Sequence, residues 1–130
     1  MKKSMFILSG FVITVWCTGC MNTITVAHTP AEVIEIARSL ATIPEPSGCK
    51  VEEKVAGQQW VVTVDESIEW EKFMHHEISF HILALEPART KVAVKAEVVY
   101  PFDVRRNARG VARRYYKNLG EELKKKDLGK

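Results

Sequence analysis

After an apolar N-terminal run, hydrophobic positions along this chain follow a helical spacing, then a strand spacing, then a helical spacing again. The letters TPAE over residues 29–32 combine a capping threonine, a proline at the first helical position and a glutamate three residues after the cap, which predicts a helix start. Apolar residues then recur at spacings of three and four: Val33, Ile36, Ala37 and Leu40. Because Pro44 disfavours helical geometry in the residue before it, the helix should end near Ile43.

Two β-hairpins are predicted after this helix. Residues 49–55 and 58–65 are rich in β-branched side chains and flank Ala56 and Gly57, which suit a tight turn. Residues 77–85 and 91–100 alternate between apolar and polar positions and form the second pair. The segment 66–76 fits both a strand and a helical turn, and we predict a loop or short helix there.

A long helix is predicted at the C-terminal side, because Pro101 ends the preceding strand and Asp103 can cap the element that follows. Its apolar stripe consists of Val104, Ala108, Val111, Tyr115, Leu119 and Leu123. The order of elements predicts an α+β fold: an antiparallel sheet of about four strands, with an N-terminal helix and a long C-terminal helix packed on one face. This order loosely resembles helix-grip modules and small lipoproteins of unknown function, and the resemblance implies no functional residue.

The N-terminal run has the layout of an export signal. Lys2 and Lys3 precede an apolar stretch over residues 5–16, and small residues follow immediately before Cys20. A bilayer span needs roughly 20 apolar residues, so a permanent transmembrane anchor is the weaker interpretation. We therefore predict a signal peptide over residues 1–19, a tether over 20–28 and a single α+β domain over 29–130.

The letters WCTGC, which end at Cys20, resemble the bacterial lipobox, in which a small residue precedes an acylated cysteine. The resemblance implies that Cys20 carries diacylglycerol and becomes the N-terminus of the processed protein. An ordinary cleaved signal without lipid is the alternative. Met21 stands where an aspartate would retain such a protein at the inner membrane, so the resemblance implies a cell-envelope lipoprotein, at the outer membrane facing the periplasm where a cell has two membranes.

Cysteine usage predicts no internal disulfide. Cys17 leaves with the signal and Cys20 carries the lipid, so Cys49 is the remaining thiol of the processed chain. Beside Val51 it is expected to be a small core residue and not a nucleophile.

The histidines suggest a metal site only as an alternative. His75, Glu77 and His81 have the same parity, so on a continuous strand they leave the face opposite Phe80. Two imidazoles and a carboxylate suit zinc or copper, but His75 and His81 would lie about 20 Å apart at roughly 3.3 Å per residue. A solvated polar face without metal or cofactor is therefore predicted, and a metal-ion or small-ligand module that uses His75, His76 and His81 is the alternative.

No catalytic motif is present: the chain has no nucleophile elbow, glycine-rich phosphate loop, Cys-x-x-Cys or zinc-protease signature. Glu69 and Glu71 lie among Trp70 and Phe73, and a carboxylate beside aromatic rings can have a raised pKa. Surface acids beside aromatics are nevertheless common without catalysis, so a non-enzymatic protein is predicted.

Charge is distributed unevenly along the chain. Residues 21–102 hold seven basic and twelve acidic side chains, a net of −5, whereas residues 103–130 hold ten basic and four acidic, a net of +6. Arginines flank the apolar stripe of the predicted C-terminal helix: Arg105, Arg106, Arg109 and Arg113. Their planar guanidinium groups suit carboxylates and phosphates. A solvated helix face, with late lysines that compensate the helix dipole, is the simpler interpretation.

Taken with the export signal, this charge predicts an accessory lipoprotein of the cell envelope that binds a partner near the membrane. The membrane, reached through the lipid anchor, is one partner. The other is an acidic envelope protein, an anionic lipid or a cell-wall polymer, whereas nucleic acid is not expected for an exported protein.

Overall fold

A computed structural model of the protein describes residues 22–43, 48–68 and 71–128. The described elements, in chain order, are β1 (Asn22–Val26), α1 (Pro30–Ser39), β2 (Cys49–Val55), β3 (Gln59–Ile68), β4 (Glu71–Glu86), β5 (Arg89–Tyr100), β6 (Val104–Asn107) and α2 (Arg109–Leu128). A short 3-10 turn, Pro101–Asp103, connects β5 to β6. The predicted export signal and Cys20 lie outside the described residues, as do Glu69 and Trp70.

The strands form one antiparallel sheet in the order β1-β5-β4-β3-β2, with β6 also paired to β5. Strand β1 pairs with residues 90–94 of β5, and β6 pairs with residues 97–100 of the same strand. The two short strands therefore follow one another along a single edge of β5. The α+β class and the antiparallel sheet are as predicted, but the described sheet has six strands instead of about four.

The core lies between one face of the sheet and the two helices. Val62, Phe80 and Val94 are adjacent across the three central strands and fully buried. Helix α2 covers them with Tyr115 and Leu119, and the rings of Phe80 and Tyr115 meet edge to face with centroids 6.3 Å apart. Helix α1 contributes its predicted apolar face, in which Val33, Ile36 and Ala37 are buried, and Cys49 is buried in the same core, as expected from the sequence.

The predicted start of α1 is confirmed by its hydrogen bonds. The Glu32 N–H donates to Thr29 Oγ1 at 3.2 Å, and the Thr29 N–H donates to Glu32 Oε1 at 3.1 Å. This reciprocal cap satisfies two backbone donors that the first helical turn leaves unpaired. The helix ends earlier than predicted, at Ser39, where the Leu40 N–H bonds back to the carbonyl of Ala37.

Two segments that were not predicted as strands contribute strands to the structure. Residues 22–26, which belong to the predicted tether, form β1, because the edge of β5 provides partners for their backbone groups. Within residues 66–76, predicted as a loop or short helix, residues 66–68 end β3 and residues 71–76 begin β4, and the two strands pair up to Ile68 and Glu71. Pairing between Ser67, His75 and Val99 continues the ladder there, and this long-range pairing decides between the two periodicities.

The predicted start of the C-terminal helix is wrong by several residues. Phe102 and Asp103 adopt positive φ angles of 65° and 61°, which reverse the chain and return it along β5 as β6. Arg105 and Arg106 therefore lie on a strand, and Val104 is exposed instead of part of the buried stripe. Helix α2 begins only at Arg109.

Candidate functional site

A polar cluster lies on the face of the sheet that the helices leave uncovered. The register of the three central strands places Asp65, Glu77 and Glu97 side by side. The next row of the same face contains His75, beside Val99 and its β6 partner Arg105. All of these residues occupy the alternate positions of their strands, so they lie on the face of the sheet opposite to that of buried Phe80. Strands β3, β4, β5 and β6 thus bring one imidazole, several carboxylates and one guanidinium together.

Within this cluster, Asp65, His75 and Glu77 each offer one metal-ligating atom, and these atoms all lie within 4.8 Å of one another. His75 Nε2 lies 3.8 Å from Asp65 Oδ1. Burial raises the pKa of the Asp65 carboxyl, His75 opposes the rise and Glu77 adds to it. Asp65 Oδ1 is buried and accepts no hydrogen bond within the described residues.

Arg105 sits at the border of the cluster and is already engaged by carboxylates. Its Nη1 donates to Glu77 Oε1, and also to Glu97 Oε1 at 3.1 Å. Its Nε donates to Asp103 Oδ1 at 3.2 Å. The hydrogen bond to Glu77 is the largest cause of a pKa raised further above that of a free guanidinium. Arg105 therefore serves an intramolecular ion network and is a poor choice for binding an external anion.

The helix-facing side of the same strands carries a second network, centred on Glu66. Arg114 donates to both carboxylate oxygens of Glu66, at 2.8 and 2.9 Å, and the Tyr115 hydroxyl donates at 2.9 Å. His76 Nδ1 lies 3.0 Å from Glu66 Oε1. These partners, Arg114 above all, lower the pKa of Glu66 to about 2. This network connects α2 to the sheet. Because both carboxylate oxygens of Glu66 already have hydrogen-bond partners, Glu66 is not available to bind a ligand.

The structure separates the histidines that the sequence singles out. His75, Glu77 and His81 share the uncovered face, as predicted, but His81 lies opposite Val61 and Ala93, well along β4 from His75. His76 points to the helix side and pairs with Glu66. Burial, followed by nearby lysines, lowers the pKa of His81.

Asp65 is the residue of this cluster that the sequence interpretation misses. Its signal is the strand register: an antiparallel pair in which β3 extends to Ile68 and β4 begins at Glu71 places Asp65 opposite Glu77. Of the acidic pair considered for catalysis, Glu69 lies outside the described residues. Phe73, near the start of β4, is largely exposed.

A second candidate surface lies between β1 and α2. A groove of about 470 Å³ runs between them and has an apolar wall formed by Ile24, Val26 and Leu123. Lys117 and Lys124 line the same groove, together with the acidic side chains of Glu121 and Asp127. His28 also lines it: its Nε2 is 2.9 Å from Asp127 Oδ1, within ion-pair distance but not aligned as a hydrogen bond.

Exposed cations continue from this groove along α2. Arg113, Lys117 and Lys124 lie within about 40° of arc on a helix with 3.6 residues per turn, and all three are exposed. We define Arg113, Lys117 and Lys124 as the basic stripe. No carboxylate among the described residues pairs with it. Arg106 is likewise exposed on β6, whereas Arg109 begins α2.

No family model matches this chain, and no curated protein or solved structure is significantly similar to it. Neither of the two described helices is both long and apolar enough to cross a membrane.

Proposed function

We propose that this protein is a non-enzymatic accessory lipoprotein of the cell envelope, anchored through a lipid on Cys20, whose domain binds an anionic partner at the membrane surface. In a cell with two membranes the proposed site is the outer membrane, on the periplasmic side. The observation that carries the proposal is the position of the groove between β1 and α2. Its cations, Lys117 and Lys124, lie beside the strand that begins just after the anchoring residue.

The chain between the anchor and the domain is short. Two peptide units separate Cys20 from Asn22, so their Cα atoms lie within about 7 Å of each other even when the chain is extended. A lipid on Cys20 would therefore hold the β1 edge of the sheet near the headgroup region. The basic stripe flanks the same edge, because the Tyr116 hydroxyl of α2 donates to the Thr23 carbonyl of β1 at 3.4 Å.

The chemistry of this surface favours anionic lipid headgroups as the partner. Unpaired ammonium and guanidinium groups attract phosphate at a membrane surface, with a contribution of about 1 kcal/mol for each basic residue. The apolar wall of the groove suits an acyl segment or another hydrophobic part of the partner. Glu121 and Asp127 bring negative charge to the same groove, so the attraction depends on Lys117 and Lys124 in particular.

The anchor is tested by intact-mass analysis of the protein extracted from its native membrane. We expect an N-terminus at Cys20 that carries diacylglycerol, and we expect Cys20→Ala to release the domain or to stall processing. A processed protein that starts elsewhere and carries no lipid would contradict the anchoring.

The anionic partner is tested with residues 21–130, which include every described element, produced without the export signal. Retention on vesicles that contain anionic lipid should exceed retention on neutral vesicles and should decline as salt is added. A double change, Lys117→Gln with Lys124→Gln, should abolish this difference. The matched control is Lys125→Gln with Lys126→Gln, which removes the same charge from other sides of α2 and should leave retention nearly unchanged.

Each outcome of the vesicle experiment has a distinct meaning. If an acidic protein from an envelope extract is retained with the same lysine dependence while the vesicles are not, the partner is a protein instead of a lipid. If neither is retained, or if the control pair has the same effect, the basic stripe is a solvated helix face.

A further inference from the structure

We propose that Asp65, His75 and Glu77 form a binding site for a divalent cation of the Zn²⁺ class on the uncovered face of the sheet. This site is independent of the lipid anchor and of the groove between β1 and α2. It also differs from the set of three histidines that the sequence suggests, because it uses one histidine and a carboxylate from the neighbouring strand.

The donor set suits zinc. Zn²⁺ accepts imidazole nitrogen and carboxylate oxygen, and sites with three protein ligands keep a fourth position for water. In a tetrahedral site with bonds of about 2.0 to 2.1 Å, the ligand atoms are separated by about 3.4 Å. The three ligand atoms here already lie within 4.8 Å of one another. Bound zinc requires the shorter spacing between the ligand atoms, and side-chain rotations that move each atom by about 1 Å would reach it without a change in the strands.

Asp65 supplies an independent reason for a ligand at this position. Its Oδ1 is buried, and no group in the described part of the chain donates a hydrogen bond to it. A buried acceptor without a hydrogen-bond donor loses its hydration without full compensation. A cation between Asp65, His75 and Glu77 would restore the missing interaction.

Negative charges outnumber positive charges around the proposed site. Four carboxylates gather on this side of the sheet: Asp65, Glu77, Glu97 and Asp103. Arg105 binds three of them, Lys95 lies 3.8 Å from Glu97, and Lys50 acts on Asp65 from a greater distance. Apart from His75, three cations face four carboxylates. Arg105 takes Oε1 of Glu77 and leaves Oε2 without a hydrogen bond among the described residues.

The same geometry explains why other histidines do not contribute. His76 is on the opposite face and is held by Glu66. His81 is on the correct face but six residues from His75 along a continuous strand, which corresponds to about 20 Å. His81 is therefore a matched control for His75: it has the same side chain, the same strand and the same face.

The test is a titration of the untagged full-length chain, purified in detergent, with Zn²⁺ alone. Calorimetry should show saturable binding of one ion per chain, and Co²⁺ should give the absorption of a four-coordinate site with nitrogen and oxygen ligands. His75→Ala and Asp65→Asn should each weaken Zn²⁺ binding by more than about tenfold, since even disturbing a ligand's support costs that much. His81→Ala should bind like the unmodified chain.

Arg105→Gln provides a second test that does not remove a ligand. Because it takes away the cation that competes for Glu77, it should tighten Zn²⁺ binding if the site is assigned correctly. Circular dichroism of each variant without metal identifies any that fail to fold, and Glu77→Gln replaces a variant that does. Absence of saturable binding to the unmodified chain, or equal binding by His75→Ala, Asp65→Asn and His81→Ala, would overturn the proposal.

Discussion

The guanidinium of Arg114 on α2 binds both carboxylate oxygens of Glu66 on β3, with N–O distances of 2.8 and 2.9 Å. The same guanidinium lies over the ring of Tyr115, with 5.1 Å between its central carbon and the ring centroid. Tyr115 in turn donates to Glu66 and packs against Phe80. One carboxylate therefore connects the charged side of α2 with the centre of the hydrophobic core.

Removing the charge of Glu66 should destabilise the domain. Glu66→Gln keeps the size of the side chain but weakens the acceptor of three hydrogen bonds, one of which comes from the buried Tyr115 hydroxyl. We expect the free energy of unfolding to fall by about 1 to 3 kcal/mol. Urea denaturation measures this value, and Glu121→Gln, on the exposed side of α2, is the control, for which less than about 0.5 kcal/mol is expected.

Acid should weaken the fold through the same carboxylate. The pKa of Glu66 is about 2 in the folded protein, against an ordinary value of 4.5. Its ionised form is the one that the fold stabilises, so its contribution is complete above pH 4.5 and is lost as the pH falls toward 2. Unfolding curves collected across this range should show the loss, and Glu66→Gln should make the slope shallower. An equal slope in both proteins would contradict the role of Glu66.

High pH should weaken the fold through Tyr115, whose pKa shifts in the opposite direction to that of Glu66. Burial, and then the hydrogen bond to Glu66, raise the pKa of Tyr115 to about 12 from an ordinary value of 10. The fold here stabilises the protonated form, so this contribution is complete below pH 10 and is lost as the pH rises toward 12. Spectrophotometric titration of the phenolate should resolve one late tyrosine, which Tyr115→Phe removes.

Local signals account for much of the fold, whereas pairing between distant segments accounts for what the sequence did not reveal. The cap formed by Thr29 and Glu32 involves neighbours three residues apart, so the letters alone indicate it. Strands β1 and β6 both find their partner in β5. Four of the five residues of β1 are Thr, Ile or Val, a strand composition that the tether interpretation overlooked, whereas the letters VRRN of β6 carry no such pattern.

The candidate metal site shows the same limit. His75 and Glu77 are recognisable from their parity on one strand, but Asp65 joins them only through the register of β3 against β4. That register depends on the segment 66–76, whose apolar spacing fits a strand and a helical turn equally well. Arg105 and Arg106 lie on a strand instead of the predicted helix for a related reason. No periodicity in the sequence indicates the positive φ angles of Phe102 and Asp103, which reverse the chain and place a strand before α2.

Buried and exposed residues of the C-terminal region should separate clearly in stability measurements. Tyr115 and Leu119 are almost completely buried, so Tyr115→Ala or Leu119→Ala should cost about 2 to 5 kcal/mol through lost contacts and the cavity left behind. Arg106→Gln with Arg113→Gln should change the free energy of unfolding by less than about 1 kcal/mol, because exposed charges contribute little to folding. A large loss from the arginine pair would place those side chains in contacts that the structure does not contain.

Phe102 allows a test of the turn that separates β5 from β6. Its side chain is 99% exposed, so a substitution removes almost no contact, but its φ of 65° is unfavourable for a residue with a β-carbon.

Glycine adopts this conformation freely, although it also gives the unfolded chain more freedom, by about 0.5 to 1 kcal/mol. The strain relieved in the left-handed region is about 1 to 2 kcal/mol. Phe102→Gly should therefore leave the free energy of unfolding unchanged or raise it by up to about 1.5 kcal/mol, as the difference between these two effects. Phe102→Val should lower it, because a β-branched side chain tolerates positive φ least. Urea denaturation of the three proteins checks the order, and a glycine variant less stable than the valine variant would show that Phe102 is held by contacts and not by the geometry of the turn.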